Sequence, residues 1–418
     1  MLVVLVISLI ATSIYFFYIS LIRNIKSQEF EPATNYSPLH YAIIIPCLNE
    51  SKVIEATLER LLSNLGNRDA SIYLVDDDSD DDTVEKIKKF TDKRIKLIEK
   101  KKPNAQKGKG HSLNLVFEQI KQDFLHIDDK SIIVTIIDSD GFLCDDAFYI
   151  ADSIFMDPTN DAAQARVKIL RNKYKYNFLI NFQDIEFFEI IDNIQRFRMH
   201  TDTVGLGGNG QFTRLSALKE LENTPWSPCL LEDYDLTIRM LLNGHKIIYT
   251  GNLIIFQQGL TSYKRYVKQR SRWVQGSIQC IKYVPKILSS SNIPTVGKVE
   301  MLYFLLQPFM NLINIFIIAV SAYLILSYII FHLKIHTLIS LILMLLITVY
   351  PGYIFSKRYC TDINRITETT KYEMILIKMQ GLLMYVYTLL TIPSVLLAFF
   401  RQIFGFKSWI KTEREEDS

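Results

Sequence analysis

Between Tyr41 and about Tyr249, short apolar runs of strand length alternate with segments whose apolar positions recur at helical spacing. This alternation predicts βαβ units around a largely parallel sheet, an α/β fold. YAIIIPC (41–47) reads as a strand. In SKVIEATLERLLSNL, which follows, Val53, Ile54, Thr57, Leu58, Leu61 and Leu62 share one stripe and Gly66 comes next, predicting a helix with a glycine stop. SIYLVDD (71–77) predicts a second strand and TVEKIKKF (83–90) a second helix. SIIVTIID (131–138) is β-branched, too short for a buried helix and ends in acid, so it predicts the most buried strand.

Both ends of the chain change character. The first 22 residues carry no charge, enough to cross a bilayer as a helix. Arg23 and Lys26 follow the apolar run instead of preceding it, which predicts an uncleaved anchor with its next loop in the cytoplasm, not a signal peptide. Later, the apolar stretches 301–332, 335–356 and 379–400 are each long enough to span, with Pro308 and Pro393 expected to kink or interrupt theirs. Before them, TSYKRYVKQRSRWVQGSIQCIKYV mixes Tyr263, Tyr266, Trp273 and Ile278 with many cations and predicts a helix at the membrane surface. One anchor plus three spans would put the tail outside, whereas Arg401, Lys407, Lys411 and Arg414 argue for inside; one stretch is therefore expected to lie in the interface or re-enter. The expected divisions are an anchor at 1–27, a globular domain at 38–260, interfacial helices at 261–300, a membrane region at 301–403 and a polar tail at 404–418. A multi-pass protein of the plasma membrane with a cytoplasmic globular domain follows.

A net charge of +3 with 22% charged residues is too near balance for a nucleic-acid binder, and none is expected as a partner. Cys47, Cys144, Cys229, Cys280 and Cys360 are scattered with no zinc spacing, as reduced core thiols would be.

Candidate chemistry lies in acidic clusters at strand ends. VDDDSDDDT (75–83) sets six aspartates in seven positions after a strand; as an EF-hand loop it fails, since Asp81 and Ile87 stand where glycine and glutamate belong. In IIDSDGF, Asp138 and Asp140 are two apart at the carboxyl end of the buried strand, where open α/β sheets bind ligands, and in extended backbone both would point one way. Such a pair suits Mg²⁺ or Mn²⁺ bridging to phosphates. Glu232 and Asp233 open a helix that ends near Gly244; acids there satisfy the helix dipole, and one could equally be a general base. If QRSRW is helical, Gln269, Arg272 and Trp273 stand at i, i+3 and i+4. They would offer phosphate a hydrogen bond and a planar fork, and a sugar ring an aromatic wall. The same residues would also serve as headgroup anchors.

Taken in order, IIIPCLNE, VDDDSDDDT, KGKGHSLN, DSD, GGNGQFTR, LEDYDL and QRSRW resemble the inverting, membrane-integrated members of glycosyltransferase family 2, the cellulose, chitin, hyaluronan and poly-N-acetylglucosamine synthases. The resemblance implies a GT-A fold with nucleotide at the strand ends. It implies that Pro46, Asn49 and Glu50 border the nucleotide, that Asp77 contacts uracil with Asp76 beside it, and that Asp138 and Asp140 hold metal and diphosphate. By the same likeness Asp233, with Glu232 next to it, is the general base, and Lys109 with Gly207–Gln211, Gly208 and Asn209 included, lines the donor and acceptor pockets. Gln269, Arg272 and Trp273 would hold the diphosphate and the acceptor end. Asp78, where the family has a small residue, and Leu231, where it commonly has Thr, depart from the pattern.

The expected activity is transfer from a UDP-sugar, UDP-Glc or UDP-GlcNAc, to a growing β-linked polysaccharide, with a divalent metal as cofactor and accessory subunits left open. Single transfer to a lipid carrier or glycolipid is the alternative among enzymes. A non-catalytic sensor of nucleotide sugars is the alternative of another class, and a transporter is disfavoured because the acids lie outside the spans.

Overall fold

The apolar runs pair into one eight-stranded sheet: His40–Cys47 (β1), Ala70–Asp76 (β2), Ile95–Glu99 (β3), Ile132–Ile136 (β4), Phe142–Leu143 (β5), Ala162–Leu170 (β6), Gln211–Arg214 (β7) and Ile247–Gln258 (β8), in the order β3-β2-β1-β4-β7-β6-β8-β5. The computed structural model describes residues 25–34, 38–171, 177–221, 224–332, 335–364, 366 and 370–406. The expected N-terminal span and the tail from 407 onward lie outside the described residues.

β3, β2, β1 and β4 run parallel, as the βαβ pattern predicts. β7 is antiparallel to both β4 and β6, and β5 antiparallel to β8, so the sheet is mixed. The central strands β1, β2 and β4 are almost wholly buried, which is why they read as continuous apolar runs. Pro46 is accommodated because β1 pairs with β4 only as far as Ile44↔Ile136, beyond which its missing N–H costs no ladder bond on that side. Two apolar layers cover the sheet. One holds Phe117, Val116 and Trp226, the other Leu58, Phe148 and Phe212. The helix Ile54–Leu65 ends at Gly66 with φ 53°, as its sequence predicts.

At the C-terminal end the two prolines differ: Pro308 does not interrupt its helix, whereas the stretch with Pro393 is interrupted, as expected. Thr295–His332 is one helix that runs through Pro308 without a break, since a proline inside a helix removes one backbone hydrogen bond and leaves the rest in place. The stretch 379–400 is three pieces, within Lys371–Leu382, Met384–Leu390 and Ile392–Ile403; Pro393 starts the last, so the interruption falls at Thr391. By length and composition, Thr295–Val320 and Met384–Ile403 could each cross a bilayer. The helix Ile335–Ile363 runs past the apolar stretch, and its last turns belong to the globular part. There Tyr359, Cys360 and Ile363 pack with Ile185, Phe188 and Ile254, Arg358 pairs with Glu189 at 3.1 Å, and Asp362 pairs with Arg166 at 3.4 Å.

A buried ion pair anchors the other side of the sheet. Asp152, fully buried, pairs with Arg68 and accepts from Tyr41 Oη at 2.8 Å. Asp152→Ala strands both partners in the core, and thermal or denaturant unfolding of the purified protein is expected to show a loss of about 3–5 kcal/mol.

Candidate functional site

Four segments meet near the carboxyl end of β4: the turn after it, the glycine loop that leads into antiparallel β7, and the first turns of the helices that carry Lys109 and Asp233. Ile136 is the last β4 residue paired with both neighbours, and beyond it the chain turns, Gly141 N–H donating to Asp138 O at 2.8 Å. Asp138 and Asp140 therefore stand on a turn, not on the extended backbone expected from their spacing; the ladder ends two residues too early for that. The turn is held from several sides. Thr57 Oγ1 donates to Ser139 O at 2.7 Å, Asp138 N–H donates to Asn209 Oδ1 at 3.0 Å, and Gln258 N–H donates to Asp140 Oδ2 at 3.3 Å. Asn209 in turn donates to Gln257 Oε1 at 2.8 Å.

Lys109 opens the helix Lys109–Asp123 and reaches across the cleft, its Nζ donating to Asp138 and, at 2.6 Å, to Gly208 O. Asp233 lies in the first turn of the helix Glu232–Leu242, which is tied to the glycine loop by Leu206 N–H donating to Thr237 Oγ1 at 2.8 Å. Gly208 marks the meeting point: a Cβ there would stand 3.1 Å from Lys109 Nζ and 3.3 Å from Asp233 Oδ2, with Glu232 Oε1 at 4.0 Å. Burial, reinforced by the charge of Glu232, pushes the Asp233 carboxyl up to about 7, against the opposing pull of Lys109 and Arg272. Burial disfavours the Lys109 ammonium, but Asp138, Glu232 and Asp233 outweigh it and hold that group above its ordinary range.

QRSRW is helical, within Tyr263–Cys280, and Arg272 is close enough to act electrostatically on Asp233. The helix is stitched to the segment before Asp233: Leu230 N–H donates to Gln279 Oε1 at 2.9 Å, Cys229 Sγ lies 3.5 Å from Gly276 O, and a Cβ on Gly276 would stand 2.5 Å from Leu231 N and Cβ. Only a glycine allows that approach. Trp273 is half-buried, with Phe187 edge-on at 6.0 Å and the Arg270 guanidinium 4.5 Å from its ring centre. Gln269 is half-buried on the same helix.

The aspartate loop divides its acids. Asp76 accepts from Ser79 N–H at 3.1 Å, and Asp81 accepts from Ser51 N–H at 3.1 Å and Thr83 N–H at 3.0 Å, so both organise the loop. Asp78 pairs with Lys101 at 3.1 Å. Asp77 is buried, pairs with Lys100 and accepts from Gln106 N–H at 3.0 Å, while Lys100 reaches Ser112 on the Lys109 helix at 2.9 Å. Asn49 accepts from Asp80 N–H at 2.9 Å, and Glu50 N–H donates to Thr83 Oγ1 at 2.8 Å.

The structure thus brings Lys109, Asp138, Gly208, Asn209, Glu232, Asp233 and Arg272 together, with Asp140 on the same turn. Pro46, Asn49, Glu50, Asp76 and Asp77 stand at and just beyond the carboxyl ends of β1 and β2. For a divalent metal, Asp138 and Asp140 offer an all-oxygen donor pair, which fits Mg²⁺ or Mn²⁺ completing its shell with water and phosphate. A different trio lies behind the site: donor atoms of Cys229, Cys280 and Asp235 fall within 4.8 Å of one another, and the two sulfurs are 3.7 Å apart. Asp235 is already engaged by Arg239 at 2.9 Å, Tyr283 at 3.0 Å and Lys282 at 3.2 Å, a positive setting unsuited to a cation. Sequence reasoning missed Gly276, Glu186 and Arg270. A glycine inside a helix was a visible signal for the first, whereas Glu186 and Arg270 lie 84 residues apart in the chain.

Comparison with known proteins bears on this site. The family described as "Glycosyltransferase like family 2" matches residues 38–276, more than half of the chain. A poly-beta-1,6-N-acetyl-D-glucosamine synthase of Staphylococcus aureus (strain COL) is 28% identical over 269 residues, 64% of this chain and 61% of that protein. A beta-monoglucosyldiacylglycerol synthase of Synechocystis sp. is 29% identical over 242 residues, 57% of this chain and 47% of that protein. The chain thus matches less than two thirds of the length of either relative. Among solved structures, a mannosyltransferase of Pyrobaculum calidifontis in complex with GDP-Man and Mn²⁺ superposes with a TM-score of 0.59 at 14% identity, covering 97% of this chain and 98% of that one. The mixed α/β fold of GT-A type is the one expected from the sequence.

The close approach at Gly276 can be tested directly. Gly276→Val must push the QRSRW helix off Leu231 and so move Arg272 away from Asp233. Transfer activity, measured as UDP release in the presence of acceptor, is expected to fall at least about tenfold, as a misplacement of that order costs.

Proposed function

We propose what this chain does from one plain premise: it belongs to glycosyltransferase family 2. It transfers the sugar of a UDP-sugar, UDP-Glc or UDP-GlcNAc, to a hydroxyl of a growing β-linked polysaccharide, inverting the anomeric centre, at the cytoplasmic face of the plasma membrane. The observation that carries this reading is Asp233. Its carboxyl, raised to about 7, stands near Lys109, whose ammonium bonds to Asp138 of the metal-suited turn.

Each residue has a part. Asp233 accepts the proton of the acceptor hydroxyl, with burial, Glu232 and Lys109 setting its basicity. Freed of that proton, the oxygen attacks the anomeric carbon from the face opposite the diphosphate in one displacement, so no carboxylate nucleophile is needed. Lys109 and Arg272 offer fixed positive charge to the departing diphosphate, and Gln269 adds a hydrogen bond. Asp77, with Asp76, Pro46, Asn49 and Glu50, borders the uridine, and Gly208 and Asn209 leave room for the transferred sugar. A Mg²⁺ or Mn²⁺ ion held by Asp138 and Asp140 would supply further charge neutralisation at the diphosphate. Trp273 forms the wall against which the acceptor sugar lies. The expected divisions carry over: a cytoplasmic catalytic part at 38–260, the QRSRW helix at the interface, and membrane helices after it. The two C-terminal candidate spans support that placement.

A second reading is transfer of one sugar to a lipid, supported by the likeness to the diacylglycerol enzyme. Membranes supplied with a panel of labelled UDP-sugars and Mn²⁺ separate the two: polymer retained on a gel supports the first, a single glycolipid band the second, and no UDP release from any donor refutes both.

Asp233 must be ionised to act, so kcat/KM is expected to fall tenfold per pH unit below about pH 7. Its raised value also means that the stability it contributes is complete below its unfolded range and is lost as pH rises through about 7. Asp233→Asn should accordingly lower kcat by about 10²–10⁴-fold and yet unfold at a higher temperature than the native chain at pH 8. In a separate test, Asp140→Ala is expected to abolish the gain in UDP affinity that Mn²⁺ gives the native protein, measured by calorimetry with and without the ion.

A further inference from the structure

Arg270, between Gln269 and Arg272 of QRSRW, is 8% exposed and has no part in the chemistry above. Its guanidinium makes a two-pronged bond to Glu186, Nη1 to Oε1 at 2.6 Å and Nη2 to Oε2 at 2.7 Å. Glu186 begins the wide helical turn Glu186–Ile191, which interrupts the helical run from Phe178 to His200. Tyr387, on the short C-terminal helix Met384–Leu390, donates to the same carboxylate and accepts from Arg270 Nη2 at 3.3 Å. Tyr387 is itself buried and stacked on Phe182 at 5.0 Å. Three parts of the chain, the globular domain, the QRSRW helix and the segment that could cross the bilayer, therefore meet on one carboxylate.

What this cluster holds is Trp273. Arg270 lies 4.5 Å from the centre of its ring and Phe187, next to Glu186, meets it edge-on at 6.0 Å. A planar cation on the face of an indole is worth more when desolvated, and a forked bond to a carboxylate fixes the plane of that cation. With Glu186 removed, the fork swings and the ring loses one of its two supports.

We propose that Glu186, Arg270 and Tyr387 form a positioning joint that sets the Trp273 wall of the acceptor site and makes its orientation depend on the membrane-side segment carrying Tyr387. The proposal rests on the reading of Trp273 as the acceptor wall. None of the three touches substrate. Their effect is on coupling: a well-placed Trp273 keeps the acceptor hydroxyl over the anomeric carbon, and a displaced one lets water take its place, so that sugar is hydrolysed from the donor instead of transferred.

The test uses the full chain in membranes that keep the native acceptor, supplied with tritiated UDP-GlcNAc and UDP-Glc. Two quantities are read: label in glycan or glycolipid per UDP released, and acrylamide quenching of Trp273 in a Trp226→Phe, Trp409→Phe background. Tyr387→Phe removes a single hydroxyl; Glu186→Gln keeps shape but loses the charge; Arg270→Lys keeps charge but loses the fork and the flat face. For each, label incorporated per UDP released is expected to fall at least threefold with UDP affinity unchanged, and quenching of Trp273 to rise. Trp273→Ala should give the same loss of coupling. If Trp273→Ala uncouples while the other three behave as the native chain in both readouts, the joint is refuted and the acceptor wall stands. If Trp273→Ala leaves coupling unchanged, the acceptor wall itself falls and the proposal with it. A parallel loss of UDP affinity and coupling in all three variants would mark a merely structural cluster and also overturn the joint.

Discussion

Three carboxylates converge on one small volume because a single ammonium stands among them. Asp138 comes from the turn after β4, and Glu232 and Asp233 from the first turn of one helix far along the chain; Lys109 is held by all three charges. At 4 Å, two like charges near a protein surface repel by about 4 kcal/mol, and Lys109 offsets part of that repulsion. Lys109 does not cancel the field, however. Burial and Glu232 still lift Asp233 to about 7, which leaves the group able both to take and to hold a proton near neutrality. The same balance accounts for Gly208: any side chain there would press on Lys109 and Asp233.

Around that centre lies a frame with little freedom. The QRSRW helix is seated against Leu230 and Leu231 by a missing Cβ, and against the last helix by Gln275, which accepts from Arg401 Nε at 3.0 Å. The helix Ile335–Ile363 reaches the sheet through charges buried beneath it: Lys168 pairs with Asp184, which accepts from Tyr359, and Arg166 bridges to Asp192 at 3.3 Å. A removed partner in such a network leaves a buried charge, whereas a complete one holds two surfaces in one register. The globular part and the C-terminal helices are thereby joined by specific contacts.

Much of the sheet was legible. YAIIIPC, SIYLVDD and SIIVTIID are buried on both faces, and that alone writes a continuous apolar run into a sequence. Short strands such as Phe142–Leu143 and Gln211–Arg214 left no such trace, since their place is set by the partner strands β8, β4 and β6. At the site, the identity of the acids, the cationic helix and the i, i+3, i+4 spacing were visible. The turn of Asp138 to Gly141 was not, because where a strand ends depends on where its neighbours stop pairing. The break at Thr391, by contrast, was announced by Pro393, which cannot donate the backbone hydrogen bond that a continuous helix needs.

The sequence by itself determined which residue types stand at strand ends and helix starts, for these follow from local periodicity, and it placed the chain in a family through motifs whose order survives at low identity. Only the tertiary structure decided which acids share a charge environment, that Trp273 is braced by Arg270 and Phe187, and that Glu186 joins Arg270 to Tyr387. The physical reason is range. Hydrophobic periodicity acts over a few residues, while Coulomb and packing interactions act through space between segments separated by 84 or 201 positions in the chain.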